Sequence, residues 1–186
     1  SLKNIEEKNL SNVIEAFQIN DRQPPRIKDE WITLRANPLH RYGSKINKKE
    51  IQIKFLKETI QEFFSYAVGC MMGRYSLYYP GLILSDSQKN QTEQLAMYER
   101  VIGKKIVEVQ FKPDADGIIP ILEGEWFEDD IVARTREFIA VTFPDSSVAE
   151  NLRFIENSIG KDIRKYFCRD FYKDHLQTYK KRPIYW

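Results

Sequence analysis

Cysteine is nearly missing from this 186-residue chain: Cys70 and Cys168 are the only two, and no CxxC spacing exists. That excludes a disulfide framework and a redox dithiol. Histidine is as scarce. His40 and His175 stand apart, with no clustered second ligand type and no HExxH, which argues against a zinc centre. No GxxxxGK[ST] phosphate loop, GxGxxG turn or GxSxG nucleophile elbow occurs. Long hydrophobic runs are missing too. Phe63–Gly73 and Tyr75–Ser85 are uncharged for 11 residues each, against the roughly 20 a bilayer span needs. No basic start followed by an apolar run marks a secretory leader. Neither sign of charge dominates, with 29 Lys+Arg against 27 Asp+Glu and a net charge of +2, which excludes a uniformly basic coat or an acidic tail. These absences describe a soluble, cytoplasmic protein from a reducing compartment, with no membrane partner.

What is present suits a folded domain. Hydrophobic residues make up 42% and aromatics 13%, enough for a core in one domain or two small ones. Apolar spacing predicts a helix over residues 2–17. Residues 20–47 carry Pro24-Pro25, Asn37-Pro38 and Tyr42-Gly43-Ser44, and read as a long connection with a short strand near Trp31–Leu34. The strongest helix covers 48–72, where Ile53, Leu56, Ile60, Phe63, Ala67 and Met71 step onto one stripe. Past Phe63 that segment is apolar all round and is expected to be buried, with Gly73 as its stop.

Residues 86–100 read as a surface helix or a loop, and 101–111 and 118–122 as short strands. Three helices follow. The first spans 127–143, with Glu128, Asp129 and Asp130 in its first turn. The second opens at a Ser147–Glu150 capping box and stops at Gly160. The third, 161–181, places Ile163, Phe167, Phe171 and Leu176 on one side with Tyr166, Tyr172 and Tyr179 beside them, and Pro183 ends it. The expected fold is mainly α, with α+β left open through a minor β-hairpin or short strands. It divides into a helical spacer and proline-containing linker at 1–47 and a mostly helical domain at 48–186. The start at Ser1 and the aromatic close at Trp186 suggest a piece of a longer polypeptide.

Charge is unevenly spread. Residues 114–156 hold 11 acids and 3 bases, a balance of −8, while 161–182 hold 8 bases and 3 acids, a balance of +5. The basic helix interleaves cations with tyrosines, a pattern that neutralises phosphates and stacks or hydrogen-bonds. Alternatively, the same cations pair with the acidic stretch of their own domain. A nuclease reading starts from Asp114 and reaches Glu123 and Glu125, but Glu125 occupies the position where such a site places a lysine. The stripe of aromatics and methionines at 63–75 is expected to be core. Arg74 and Tyr75 lie just past Gly73, where an arginine reaches a phosphate or caps helix carbonyls.

Four strings resemble one family: EFFSYAVGCMMGRYSLYYPGLIL (62–84), DADGIIPILEGEWFEDDIV (114–132), ENLRFIENSIGKDIRKYF (150–167) and FYKDHLQTYKKRPIYW (171–186). They look like the adenine-specific DNA methyltransferase of bacteriophage-exclusion and phage-growth-limitation systems, a large bacterial enzyme also labelled a type II restriction-modification methylase. GCMMGRYSL and KDHLQTYKKRPIYW are the specific strings. The start, with WITLRANPLHRYG, is similar to helical spacers of related fused enzymes. Residues 86–112 are the weak part.

The resemblance implies transfer of a methyl group from S-adenosylmethionine to adenine N6 of a flipped base in DNA. The family's Asn-Pro-Pro-Tyr motif is absent, since Asn37-Pro38-Leu39-His40 shares only its first two letters. The glycine-rich cofactor turn is absent as well. No catalytic or cofactor residue therefore carries over, and S-adenosylmethionine belongs to the parent protein alone. The expectation is a non-catalytic segment that supports DNA recognition, with Arg74, Tyr75, Arg164, Lys165, Arg169, Lys173, Lys180, Lys181 and Arg182 as candidate DNA contacts. The expected partners are DNA through the parent, the parent's remaining domains, and other phage-defence proteins. Two rivals stand beside it: a docking module without DNA contact, and a free-standing hydrolase using the acids at 114–130.

Overall fold

The computed structural model describes residues 37–43, 45–84 and 90–178, together with residues 4, 7–9, 11–12 and 15 nearer the N-terminus. The latter are all helical, within the predicted 2–17 helix. The predicted strand near Trp31 lies outside the described residues. The chain divides into two compact units, Ser1–Leu56 and Lys57–Trp186.

In the first unit, Asn37-Pro38 starts a helix instead of breaking one. α1 (Pro38–Tyr42) has Pro38 in its first turn, and the Asn37 side chain accepts from the Leu39 amide. Proline lacks only an N–H that a first turn cannot use, so the pair suits a helix start. α2 (Lys48–Met71) begins behind Asn47, whose side chain accepts from the Lys49 amide at 3.0 Å. Lys54 lies 4.8 Å from the centre of the Tyr42 ring.

The second unit is built on the apolar half of α2. Ile60, Phe64, Ala67, Val68, Cys70 and Met71 are buried. Ile53 of the predicted stripe is exposed, because the stripe becomes a core face only where other helices cover it. α2 stops as expected at Gly73, whose φ of 70° is left-handed, and the Met71 carbonyl accepts from the Asp114 amide at 2.6 Å.

The remaining elements are α3 (Gln91–Ile102), a 3₁₀ turn (Ile106–Glu108), α4 (Ile131–Thr142), α5 (Val148–Ile159), α6 (Ile163–Tyr166), a π turn (Phe167–Phe171) and α7 (Tyr172–Thr178). Of the segment 86–100, the described residues from Gln91 onward form α3, started by a capping box between Asn90 and Glu93. The strands expected at 101–111 and 118–122 do not form. The first is the end of α3 and the 3₁₀ turn, and the second has no regular structure. Four β-branched residues of the first serve packing, since Val101, Ile102, Ile106 and Val109 form a small core with Tyr78, Ile83, Leu84 and Tyr98, while Val107 and Ile118 are exposed. Among the described residues β pairing is limited to one bridge, Ser76 with Tyr79, and the fold is mainly helical.

The main core is aromatic. Phe64 stacks on Tyr166 at 5.2 Å and meets Phe167 edge-on at 5.1 Å. Phe138 of α4 packs on Phe63 at 5.5 Å and on Phe111 at 5.0 Å. Tilted and edge-on pairs add about 0.5–1.5 kcal/mol each beyond burial.

The last helical segment departs from ideal α geometry. Its buried residues are Ile163, Phe167, Phe171 and His175, with Tyr166 beside them. That is a strict four-residue repeat. Each four-residue step overshoots an α turn by about 40°, so three steps drift by about 120°. The wider π turn absorbs the drift and keeps the row facing the core. This is why His175 takes the inward position that α spacing assigned to Leu176. It is also why Tyr166, expected beside the stripe, is core.

Two capping expectations divide. Gly160 ends α5 at φ 74°, and its amide and that of Lys161 bond to the Glu156 carbonyl. Ser147 sits at the N-cap of α5, but its side chain makes no capping bond.

Replacing Phe138 by Ala empties the contact between α2 and α4 and should cost about 3–5 kcal/mol. Phe154→Ala, on an exposed residue of α5, should stay within about 0.5 kcal/mol. Urea unfolding of the two variants checks this.

Candidate nucleic-acid interface

The acidic loop at 122–130 and the basic helix after Gly160 meet at Arg164. Its guanidinium donates to the carbonyls of Leu122 and Gly124, both at 3.1 Å, and pairs with Glu125 at 3.4 Å and Asp130 at 2.7 Å. Asp130 is 2% exposed and Arg164 13%. Asp130 was expected in a first turn. It is the N-cap of α4, and its Oδ1 accepts from the amides of Val132 and Ala133 at 2.9 and 2.8 Å. Burial raises its pKa, but those amides and Arg164 outweigh it and hold the carboxyl below its ordinary value. For Arg164, burial lowers the pKa and Asp130 more than compensates. One arginine thus ties the loop, the start of α4 and the start of α6 together.

The other cations separate by their partners. Arg169 lies 3.8 Å from Glu123, with both side chains largely exposed, an arrangement worth about 0–1 kcal/mol. Lys161 pairs with Asp170. Lys165 and Lys173 are exposed and make no ion pair with a described residue. Lys165, Arg169 and Lys173 repeat every four residues, in step with the buried row, so the same π turn aligns them. At 1.5 Å per residue the row is roughly 12 Å long. A cleft of about 210 Å³ lies at its start, lined by Glu123, Asp162, Arg164, Lys165, Cys168 and Arg169. Tyr172, within the row's span, is exposed. Lys180, Lys181 and Arg182 lie outside the described residues, as does Tyr179.

Arg74 and Tyr75 sit elsewhere, in the turn after α2. The Arg74 amide bonds to the Gly69 carbonyl and its own carbonyl accepts from Ile83. Tyr75 is half-buried, 5.5 Å from the ring of Tyr66. The Arg74 charge acts on buried His175, whose Nδ1 lies 3.0 Å from Ser65 Oγ. Burial first, and Arg74 second, pull the His175 pKa below its ordinary value. The preceding residue, Asp174, accepts from Gln61 and from the Tyr166 hydroxyl.

The acids of the nuclease reading do other work. Asp114 Oδ1 accepts from the amides of Asp116, Gly117 and Ile118 at 3.1, 2.9 and 3.2 Å, folding its own loop. Among the described residues, no group of three or more His, Cys, Asp or Glu side chains is placed to hold a metal ion. No described helix is long and apolar enough to cross a membrane. The Asp130–Arg164 bond escaped sequence reasoning. Asp130 before an apolar helix is a legible cap, but nothing local marks Arg164 as its partner.

No protein-family model matches the chain. It is 36% identical over 196 residues to the adenine-specific methyltransferase BrxX of Escherichia coli O9:H4 (strain HS), an alignment covering 97% of this chain and 15% of that protein. It is 32% identical over 187 residues to the adenine-specific methyltransferase PglX of Lacticaseibacillus casei (strain Zhang), covering 93% of this chain and 13% of that protein. The chain is homologous to one segment of these adenine-specific methyltransferases and spans about one seventh of their length.

Two outcomes follow from the buried polar groups. Arg164→Met strands Asp130 and should cost roughly 3 kcal/mol, the low end for a broken buried pair, because the guanidinium keeps some solvent. Chemical denaturation measures it. His175 resists a proton that the unfolded chain accepts. Its contribution to stability is therefore complete above about pH 6.5 and is lost as pH falls below that value. The urea midpoint should drop between about pH 7.5 and 5.5, and less steeply in His175→Gln. Equal slopes would remove His175 as the cause.

Proposed function

We propose that this chain is a non-catalytic segment of a phage-defence adenine-specific DNA methyltransferase, and that it holds the target duplex in register while methyl transfer from S-adenosylmethionine occurs elsewhere in the parent polypeptide. The supporting observation is the exposed row Lys165–Arg169–Lys173. DNA carries one charge per 3.4 Å of rise on each strand, so a row of roughly 12 Å spans about three or four phosphates. Cations at that spacing set register without reading bases. Lys180, Lys181 and Arg182 extend the same basic stretch toward the C-terminus. Arg164 is left out of the contact because its guanidinium already binds Asp130, Glu125 and two carbonyls.

Such a face gives weak, sequence-independent binding that decays with salt. Lys165→Glu with Lys173→Glu should cut affinity for a labelled duplex by at least about tenfold at low salt. It should also reduce the slope of log K against log salt by roughly 2. Both positions are exposed, so melting should not move. Unchanged anisotropy titrations in the double variant would dismiss the face.

A further inference from the structure

The loop above the Arg164 bond carries a feature that duplex positioning does not use. Trp126 is 78% exposed and Phe127 55% exposed, and Trp126 is the most exposed aromatic side chain among the described residues. The exposure is not looseness. Arg164 holds the carbonyls of Leu122 and Gly124 on one side and Asp130 on the other. Gly124 makes room for the indole: a Cβ there would lie 2.6 Å from Trp126 Nε1. A tryptophan shelved on a glycine, in a loop pinned at both ends, is ordered before anything touches it, and preordering removes much of the entropic cost of association. The surroundings give it a sign. Trp126 and Phe127 line an open cleft of about 330 Å³ with Glu125, Glu128, Asp130 and Arg136; Arg136 lies 3.7 Å from Glu125, so the acids still outnumber the one cation of the lining. Glu128 and Asp129 are exposed and make no ion pair with a described residue.

An exposed indole face beside the carboxylates of Glu128 and Asp129 fits a guanidinium or ammonium group, which gains from both the ring and the acids. It repels phosphate. We propose that the Trp126–Phe127 cleft docks an arginine- or lysine-bearing segment of the same parent polypeptide. This rests on the reading that the chain is part of a larger methyltransferase. The aligned relatives are mostly sequence beyond this segment, since it covers only 15% and 13% of them, so a basic segment of the parent is held at high effective concentration.

The test uses the full-length polypeptide with the photo-cross-linker p-benzoylphenylalanine replacing Trp126, and a control with it replacing Phe154, exposed on α5. Irradiation followed by mass spectrometry should give an intramolecular link from position 126 to a Lys- or Arg-containing peptide outside this segment, and none from position 154. Adding Glu128→Lys and Asp129→Lys should lower the yield by roughly fivefold, as expected for like charge at an interface. A link between two copies, a link to added duplex DNA, no link, or a yield indifferent to the charge reversal would each overturn the proposal. Methylation of duplex adenine by the same preparation is scored separately. Activity without the link sinks the docking site alone, and no activity in the unsubstituted polypeptide sinks the parent reading.

Discussion

The geometry of the second unit depends on one buried ion pair. Asp130 caps α4 and Arg164 opens α6, and their 2.7 Å contact also gathers the carbonyls of Leu122 and Gly124. A carboxylate this buried is tolerated because two amides and a guanidinium surround it. The arrangement converts what would be a wandering acidic loop into a fixed one. It settles the competition between the acidic and basic stretches at this position: the net charges of −8 and +5 along the chain partly cancel across the loop–helix contact. The cations available for other work are those the loop does not reach.

The π turn at Phe167–Phe171 has a comparable reach. By absorbing the drift of a four-residue repeat, it seats Ile163, Phe167, Phe171 and His175 in the aromatic core and sets Lys165, Arg169 and Lys173 in a row on the outside. A single local distortion thus serves packing and surface together, in keeping with the frequent placement of π turns at functional positions. The pinned loop and the aligned row are neighbours through Glu123 and Arg169. The segment thereby presents an acidic-aromatic surface and a basic one side by side, chemistry suited to holding unlike partners.

Much of this was legible in the residues themselves. The long helix after residue 48, its stop at Gly73, the end of α5 at Gly160 and the burial of most of Phe64–Met71 follow from local periodicity and from glycine's tolerance of positive φ, although Tyr66 within that stretch is exposed. The strings at 62–84 and 171–186 pointed to the methyltransferase relatives. Other signals misled for physical reasons. The β-branched runs at 101–111 and 118–122 look like strands by composition, yet among the described residues no neighbouring edge pairs with them. Ser147 has the right partner at Glu150, but its hydroxyl is not used. Asn37-Pro38 looked like a break and is a helix start.

Sequence alone determined that α2, α4, α5 and the segment after Gly160 are helical, where α2 and α5 end and which half of α2 is apolar, because those properties arise from groups within one or two turns of each other. Tertiary structure decided that Arg164 turns inward while Lys165 does not, that His175 and not Leu176 reaches the core, and that Trp126 stays in water on a glycine shelf. Those outcomes depend on partners about 40 residues apart and on a change of helical pitch that the whole core stabilises, and no local pattern encodes either.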